Sequence, residues 1–360
     1  KIRLIRIHME EDAGKNIHSN YSNESYVDLN RTGTPLLEIV SHPDISSADE
    51  AKAYLKSLRL IVQYLGICSG NMEEGAFRAD TNISVRKKGQ KEYGTRVELK
   101  NINSFKFIGD AIEHEIERHI GMLERGEKIK QETRLWDSKN KQTILMRSKE
   151  EAADYRYFQD PDLPFLVISD QEIDAIRQTM PELPLQKCAR LINEGLSAYE
   201  AEIIVDDLLI ADYYQKAMHH YASKQIVNWI LRDLIGYLNE HKITIDACKV
   251  TPEKLAQIVQ LVEKGVINNR AAQEVFAIVA QTGDDPSAVV ESKGLQQIGS
   301  LDELKSVVQN IIQEYQKQVI DYKSGKTNLF GFFVGQAMKA TQGKADPKVL
   351  QDLFNQELNK

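Results

Sequence analysis

P-D-L-P-F-L-V-I-S-D, residues 161–170, is where the sequence changes character. Before it, strand-like runs alternate with two long helical stretches; after the short apolar run Phe165–Ile168, read as a last strand, helical periods continue to the end. Working backward, strands are expected at Ile2–Met9, Tyr26–Asn30, Leu36–Val40, Phe77–Arg86, Arg96–Lys100 and Thr143–Met146, several alternating polar and apolar residues with the period of two that a pleated strand imposes. Helices are expected at about Ser47–Tyr64 and Ser104–Arg125. In the second, Phe105, Ile108, Ile112, Ile116 and Ile120 recur at steps of three and four and mark one buried face, which leaves the glutamates to the wet face. This half therefore predicts an α+β fold, a mixed or antiparallel sheet with helices.

Working forward, helix-end chemistry punctuates the pattern: Gly265 closes one helix and Asn268 opens the next. The T-G-D-D-P-S run at Thr282–Ser287 and the Gly294–Gly299 stretch read as breaks. The expected organisation is a sheet-containing cradle over 1–180, a helical domain over 181–293 and a small helical tail over 294–360. A length of 360 residues, 42% hydrophobic and 28% charged, suits two or three globular domains and excludes a disordered or fibrous chain. The three cysteines, Cys68, Cys188 and Cys248, are far apart and form neither a disulfide framework nor a clustered zinc site, so a reducing, cytoplasmic setting is expected. The start, K-I-R-L-I-R-I-H-M, alternates like a strand and carries no initiator Met, so a preceding N-terminal segment is expected.

The densest ionisable cluster is H-M-E-E-D-A-G-K, His8 to Lys15. Alternation puts Arg6, His8 and Glu10 on one face and Ile5, Ile7 and Met9 on the other, with Glu11 and Asp12 where the strand gives way to a loop. P-L-L-E-I-V places Glu38 alone in an apolar strand, where a carboxylate must be paired, bind a cation or become neutral; a buried pair with Arg31 and a metal ligand are equal readings. F-R-A-D-T-N-I-S-V-R sends Arg78, Asp80, Asn82, Ser84 and Arg86 to one face, and R-V-E-L-K sends Arg96, Glu98 and Lys100 to one face. Such faces are solvated by default. They line a cavity only if Glu11, Glu38 and Asp80 converge, a donor set suited to Mg²⁺, with Lys15, Arg78, Lys100 and Arg147 then placed to neutralise phosphate oxygens.

Other motifs fail. S-G-K-T at Ser324–Thr327 ends like a phosphate-binding loop, but the first glycine position is Ile320 and no strand precedes it. Gly331 to Gly335, G-F-F-V-G, reads as a place where two helices pack closely. His219 and His220 have no carboxylate at metal-ligand spacing, and no Cys–His or Ser–Lys grouping marks a nucleophile. Between Lys317 and Lys348 six lysines face two aspartates, a net +4 that leaves −11 for the rest of a chain whose total is −7. A small basic end on an acidic protein suits a phosphate-rich partner, with a plain lysine-rich helix surface as the alternative.

Taken in order, H-M-E-E-D-A-G-K, V-D-L-N-R-T-G-T-P-L-L-E-I-V, M-E-E-G-A-F-R-A-D-T-N-I-S-V-R, V-E-L-K-N-I-N-S-F, Q-E-T-R and D-Y-R-Y-F-Q-D-P-D-L-P resemble the B-type subunit of the aspartyl/glutamyl-tRNA(Asn/Gln) amidotransferases. The end, D-Y-K-S-G-K-T-N-L-F-G-F-F-V-G-Q-A-M-K-A-T-Q-G-K-A, is similar to that family's tRNA-binding tail, and the resemblance spans essentially the whole chain. It implies a kinase-like active site in the cradle, using ATP and Mg²⁺ to activate the side-chain carboxylate of Glu-tRNA(Gln) or Asp-tRNA(Asn). Ammonia would come from the A-type glutaminase subunit, with the small C-type subunit bridging the two. It further implies metal-site roles for Glu11 and Glu38, with Asp80 as a further contributor and Glu10 and Asp12 as alternatives. Lys323, Lys326, Lys339 and Lys344 would be the tRNA-binding cations of the tail. Family members begin with a further strand segment containing G-L-E-x-H, whose His and Glu also belong to the metal site. Two rivals to this function are a non-catalytic tRNA-binding scaffold and a carboxylate–amine ligase acting on a small metabolite.

Overall fold

The computed structural model describes residues 1–18, 24–148, 161–297, 301–341 and 343–358, without the side chains of residues 18, 147 and 148. The D-Y-R-Y-F-Q-D run at 154–160, Gly299 and the Arg147 side chain lie outside the described residues. The chain divides into two compact units, Lys1–Pro184 and Leu185–Lys360.

The first unit is α+β. Its strands are β1 (Leu4–Glu11), β2 (Lys15–His18), β3 (Ser25–Asp28), β4 (Pro35–Ser41), β5 (Thr81–Ile83), β6 (Val97–Lys100), β7 (Glu132–Asp137) and β8 (Gln142–Ser148). Its helices are α1 (Ala48–Tyr64), α2 (Phe105–Glu124) and α3 (Asp170–Thr179). β1 pairs with β4 and β2 with β3, both antiparallel, while β5, β6, β7 and β8 form one four-stranded sheet in that order. β6 and β7 are parallel, and α2 makes the crossover that a parallel pair requires. Both long helices start at a serine cap: Ser47 Oγ accepts from the Glu50 amide and Ser104 Oγ from the Phe107 amide.

Alternation along β6 decides which way the sheet faces. Val97 and Leu99, both fully buried, join Ala48 and Ala51 of α1, Ile108, Ala111 and Ile112 of α2, and Trp136 of β7 in one core. Glu98 and Lys100 therefore project from the opposite side. The apolar face of β1, with Ile5, Ile7 and Met9, is exposed.

Several expectations change. Phe77–Arg86 narrows to Thr81–Ile83, because residues before it form a loop tied to the end of β1. Phe165–Ile168 is no strand: an extended segment becomes a strand only when another backbone pairs with it, and this one has no ladder partner among the described residues and exposes all four side chains. β2 and β7 add to the expected strands. Ile120, placed by periodicity on the buried face of α2, is exposed, whereas Glu115, placed on the wet face, is completely buried.

The second unit is all-α: α4 (Pro184–Asn193), α5 (Ala198–Asp206), α6 (Leu208–His220), α7 (Gln225–Trp229), α8 (Ile235–His241), α9 (Pro252–Glu263), α10 (Asn269–Thr282), α11 (Pro286–Lys293), α12 (Leu301–Glu314), α13 (Gln316–Lys323), α14 (Phe330–Ala340) and α15 (Pro347–Leu358). Asn268 caps α10 and Gly294 ends α11 in the left-handed conformation. Helices α12 to α15 share a core in which the rings of Phe333 and Phe354 lie 5.9 Å apart. Gly331 and Gly335 do not mediate close helix packing; a methyl group on either would meet open space, so they face outward from α14.

Candidate functional site

The end of β1 is organised by Asp12, which takes hydrogen bonds from Arg31 Nε at 2.9 Å and Arg78 Nη2 at 3.0 Å. Arg31 also donates to the Gly75 carbonyl at 3.0 Å. The glycine is needed there: its φ is +70°, and a Cβ would lie 2.5 Å from Arg31 Nη1. Two arginines thus neutralise Asp12 and anchor the segment that leads into β5. Arg31 does not pair with Glu38. Glu38 is instead about half exposed, and its Oε2 accepts from Arg6 Nη2 at 2.8 Å, with His8 Nδ1 at 3.9 Å.

The register of the β1–β4 pair separates the two carboxylates expected to share an ion. Glu38 stands opposite His8 and Glu11 opposite Pro35. These positions differ by an odd number of residues, so the side chains leave opposite faces of the ribbon. Asp80 is paired with Lys100. Glu11, Glu38 and Asp80 are therefore not brought together, and among the described residues no three acidic, imidazole or thiol side chains gather as a metal centre. As arranged, this donor set does not fit Mg²⁺.

What does assemble is the outer face of the four-stranded sheet. Asn82 stands opposite Glu98 on β5 and β6, and extending that register brings Asp80 opposite Lys100. Lys100 Nζ also lies 3.4 Å from Glu98 Oε1, and Thr133 of β7 donates its hydroxyl to Glu98 Oε2 at 3.0 Å. Thr133 belongs to the Q-E-T-R stretch, and sequence reasoning misses it as a site residue; its polar side chain, buried within a strand, is the available signal. Burial works against the Lys100 ammonium, but hydrogen bonding and attraction from Asp80, and then Glu98, outweigh it and raise its pKa. It is a fixed positive charge. Lys15 lies on β2, opposite Asp28.

The inner face carries a second polar cluster. Thr143 Oγ1 donates to Glu115 Oε2 at 2.7 Å, Arg118 Nε to Glu115 Oε1 at 2.6 Å, and Arg134 Nη1 to Glu132 Oε1 at 2.9 Å. His119 Nε2 lies 3.2 Å from Glu115 Oε1 without the alignment of a hydrogen bond. Glu115, His119 and Thr143 are buried between α2 and the strands and the arginines and Glu132 are only slightly exposed, so this cluster supports the fold.

In the helical unit, Lys323, Lys326 and Lys339 are exposed and Lys344 is half-buried; Lys326 pairs with Asp321 at 3.2 Å. Lys339 lines a hollow of about 420 Å³ with Arg270, Gly335, Met338 and Gly343, the outward glycine face lying open to it. No helix among the described residues is long and apolar enough to cross a membrane.

Residues 1–174 match the family described as the GatB/GatE catalytic domain, and residues 212–358 match that described as the GatB domain. The chain is 48% identical over 360 residues to the B-type subunit of the aspartyl/glutamyl-tRNA(Asn/Gln) amidotransferase of Chlorobium phaeobacteroides, covering 99% of this chain and 76% of that protein. It is 49% identical over 361 residues to the protein of the same name from Persephonella marina, with 99% and 76% covered. Against that of Crocosphaera subtropica the identity is 48% over 365 residues, with 99% and 74% covered.

Proposed function

Because the chain belongs to the family of B-type subunits of the aspartyl/glutamyl-tRNA(Asn/Gln) amidotransferases, we propose that it carries out the ATP-dependent half of the reaction: activation of the side-chain carboxylate of Glu-tRNA(Gln) or Asp-tRNA(Asn), followed by its amidation. A carboxylate is a poor electrophile. Attack by one of its oxygens on the γ-phosphorus of ATP expels ADP and leaves an acyl phosphate; ammonia then attacks the carbonyl carbon, phosphate departs, and nitrogen loses a proton to give the amide. The work asked of the protein is positioning and neutralisation of charge on the transferring group. Lys100, held on the outer sheet face, and Arg78, held by Asp12, are the cations proposed for that task, with Lys15 and Arg147 as further candidates. The nucleotide is taken as the magnesium complex it forms in solution, and no donor set of this chain is assigned to the ion.

Ammonia is proposed to come from a glutaminase partner, the A-type subunit, with the small C-type subunit completing a heterotrimer in the cytoplasm. Burial pushes the thiols of Cys188 and Cys248 up, away from the thiolate that a cysteine-dependent glutaminase would use. The terminal module from about residue 294, with Lys323, Lys326, Lys339 and Lys344, is proposed to hold the tRNA body.

One observation carries the proposal: similarity to relatives of this name runs through the sheet unit and the helical unit alike. The test is ATP turnover by the assembled full-length enzyme. ADP formation that requires charged tRNA supports the proposal. Binding of tRNA without ADP formation would leave a scaffold, and turnover with free glutamate or aspartate would leave a small-metabolite ligase.

A further inference from the structure

Four polar side chains form a row across β7, β6 and the entry to β5: Thr133 to Glu98, Glu98 to Lys100, Lys100 to Asp80. Exposure rises in one direction: Thr133 is fully buried, and the side chains of Glu98, Lys100 and Asp80 are 14%, 31% and 52% exposed. The row is rooted in the interior and opens at the surface. Its inner end cannot touch a substrate, because Thr133 is enclosed. Yet the threonine is not explained by packing alone. Valine has the same shape, is at least as well suited to a strand, and avoids burying a hydroxyl that must then be satisfied.

What the hydroxyl adds is direction. With Oε2 of Glu98 taken by Thr133, the other oxygen faces Lys100. A lysine ammonium on a four-carbon stem points reproducibly only where fixed acceptors hold it, and here the carboxylates of Glu98 on β6 and Asp80 at the entry to β5 do so. Asn101, in the left-handed conformation with φ +62°, follows Lys100 directly where β6 ends.

We propose that Thr133 and Glu98 are positioning residues for Lys100: the buried hydroxyl orients Glu98, and Glu98 together with Asp80 presents the ammonium to the phosphate oxygens of the nucleotide. This rests on the assignment of Lys100 as a phosphate-neutralising cation, and the test separates the two. In the assembled full-length enzyme, ADP formation dependent on charged tRNA is measured at varied ATP and varied tRNA for wild type, Thr133→Val, Thr133→Ser, Glu98→Gln and Lys100→Met, with thermal unfolding followed for each.

Thr133→Val should lower kcat/KM for ATP about 10- to 100-fold, the scale set by a misplaced group, with KM for tRNA unchanged. Thr133→Ser, which restores the hydroxyl, should return it to within about threefold of wild type, the loss being confined to the methyl group. Glu98→Gln keeps an acceptor for Thr133 but removes the charge facing Lys100, and should show the same ATP-specific loss even if the valine variant fails to fold. Wild-type ATP kinetics in Thr133→Val beside an inactive Lys100→Met would overturn the positioning role alone. So would a serine variant as impaired as the valine one. Full activity in Lys100→Met would overturn the assignment beneath it, and the proposal with it.

Discussion

Glu115 shows how one buried charge can be an asset. Burial raises the pKa of its carboxyl, but the His119 imidazole beside it, hydrogen bonding from Arg118 and Thr143, and the charge of Arg118 outweigh this and hold it at about 2 against an ordinary 4.5. The unfolded chain therefore binds that proton more readily than the folded one. The carboxylate's contribution, about 3 kcal/mol, is complete above the unfolded value and disappears as pH falls toward about 2. Glu115→Gln should reduce stability at pH 7 by roughly that amount. It should also flatten the fall in stability between the two pKa values, as read from denaturant midpoints across a pH series. The buried charge is legible in the helix pattern once its steps are taken strictly. Positions 108, 112, 115 and 119 follow one another at four, three and four, so Glu115 and His119 lie on the apolar stripe. Residue type alone assigns them to water.

At the scale of elements, periodicity locates most of the fold: the caps of α1 and α2, the alternation of β6 and the Asn268 cap of α10 follow directly from residue order. β7 escapes because Glu132 and Arg134 face the helix side, where they join a polar cluster instead of an apolar core, so the strand lacks a clean apolar face. Phe165–Ile168 fails in the opposite way, since a strong strand composition cannot supply a pairing partner. The carboxylate faces are legible residue by residue, but their convergence is not. Register depends on how two distant strands meet, and it puts Glu11 and Glu38 on opposite sides. Leu99, fully buried among α1, α2 and the sheet, is the element-scale test: Leu99→Ala should cost about 2–5 kcal/mol in equilibrium unfolding, whereas substitutions at neighbouring Glu98 should alter ATP kinetics more than stability.

For the whole molecule, charge is unevenly distributed: +4 between Lys317 and Lys348 on a chain whose total is −7. If the terminal lysines contact the tRNA backbone, replacing Lys323, Lys326, Lys339 and Lys344 with neutral residues should weaken tRNA binding and flatten its salt dependence. Each lost phosphate contact should remove about 0.7–0.9 from the log–log slope. Affinity measured over a salt series for wild type and the quadruple variant gives the answer, and equal slopes would mean that the tRNA is held elsewhere. Chemistry on bound substrate should change far less, because the proposed activation site belongs to the sheet unit.

The F-L-V-I run, without a strand partner among the described residues, also makes the molecule open to dissection. Phe165, Leu166 and Val167 are each more than four-fifths exposed, outside any helix or strand and shortly before the boundary of the two compact units. A chymotrypsin-like protease needs accessible backbone and a large apolar side chain, and finds both here. Brief digestion of the isolated chain should cut after Phe165 or Leu166, with fragment masses read by mass spectrometry. It would yield an N-terminal piece carrying the Lys100 row and a C-terminal piece carrying the basic helices, so that nucleotide and tRNA binding can be assigned to separate fragments.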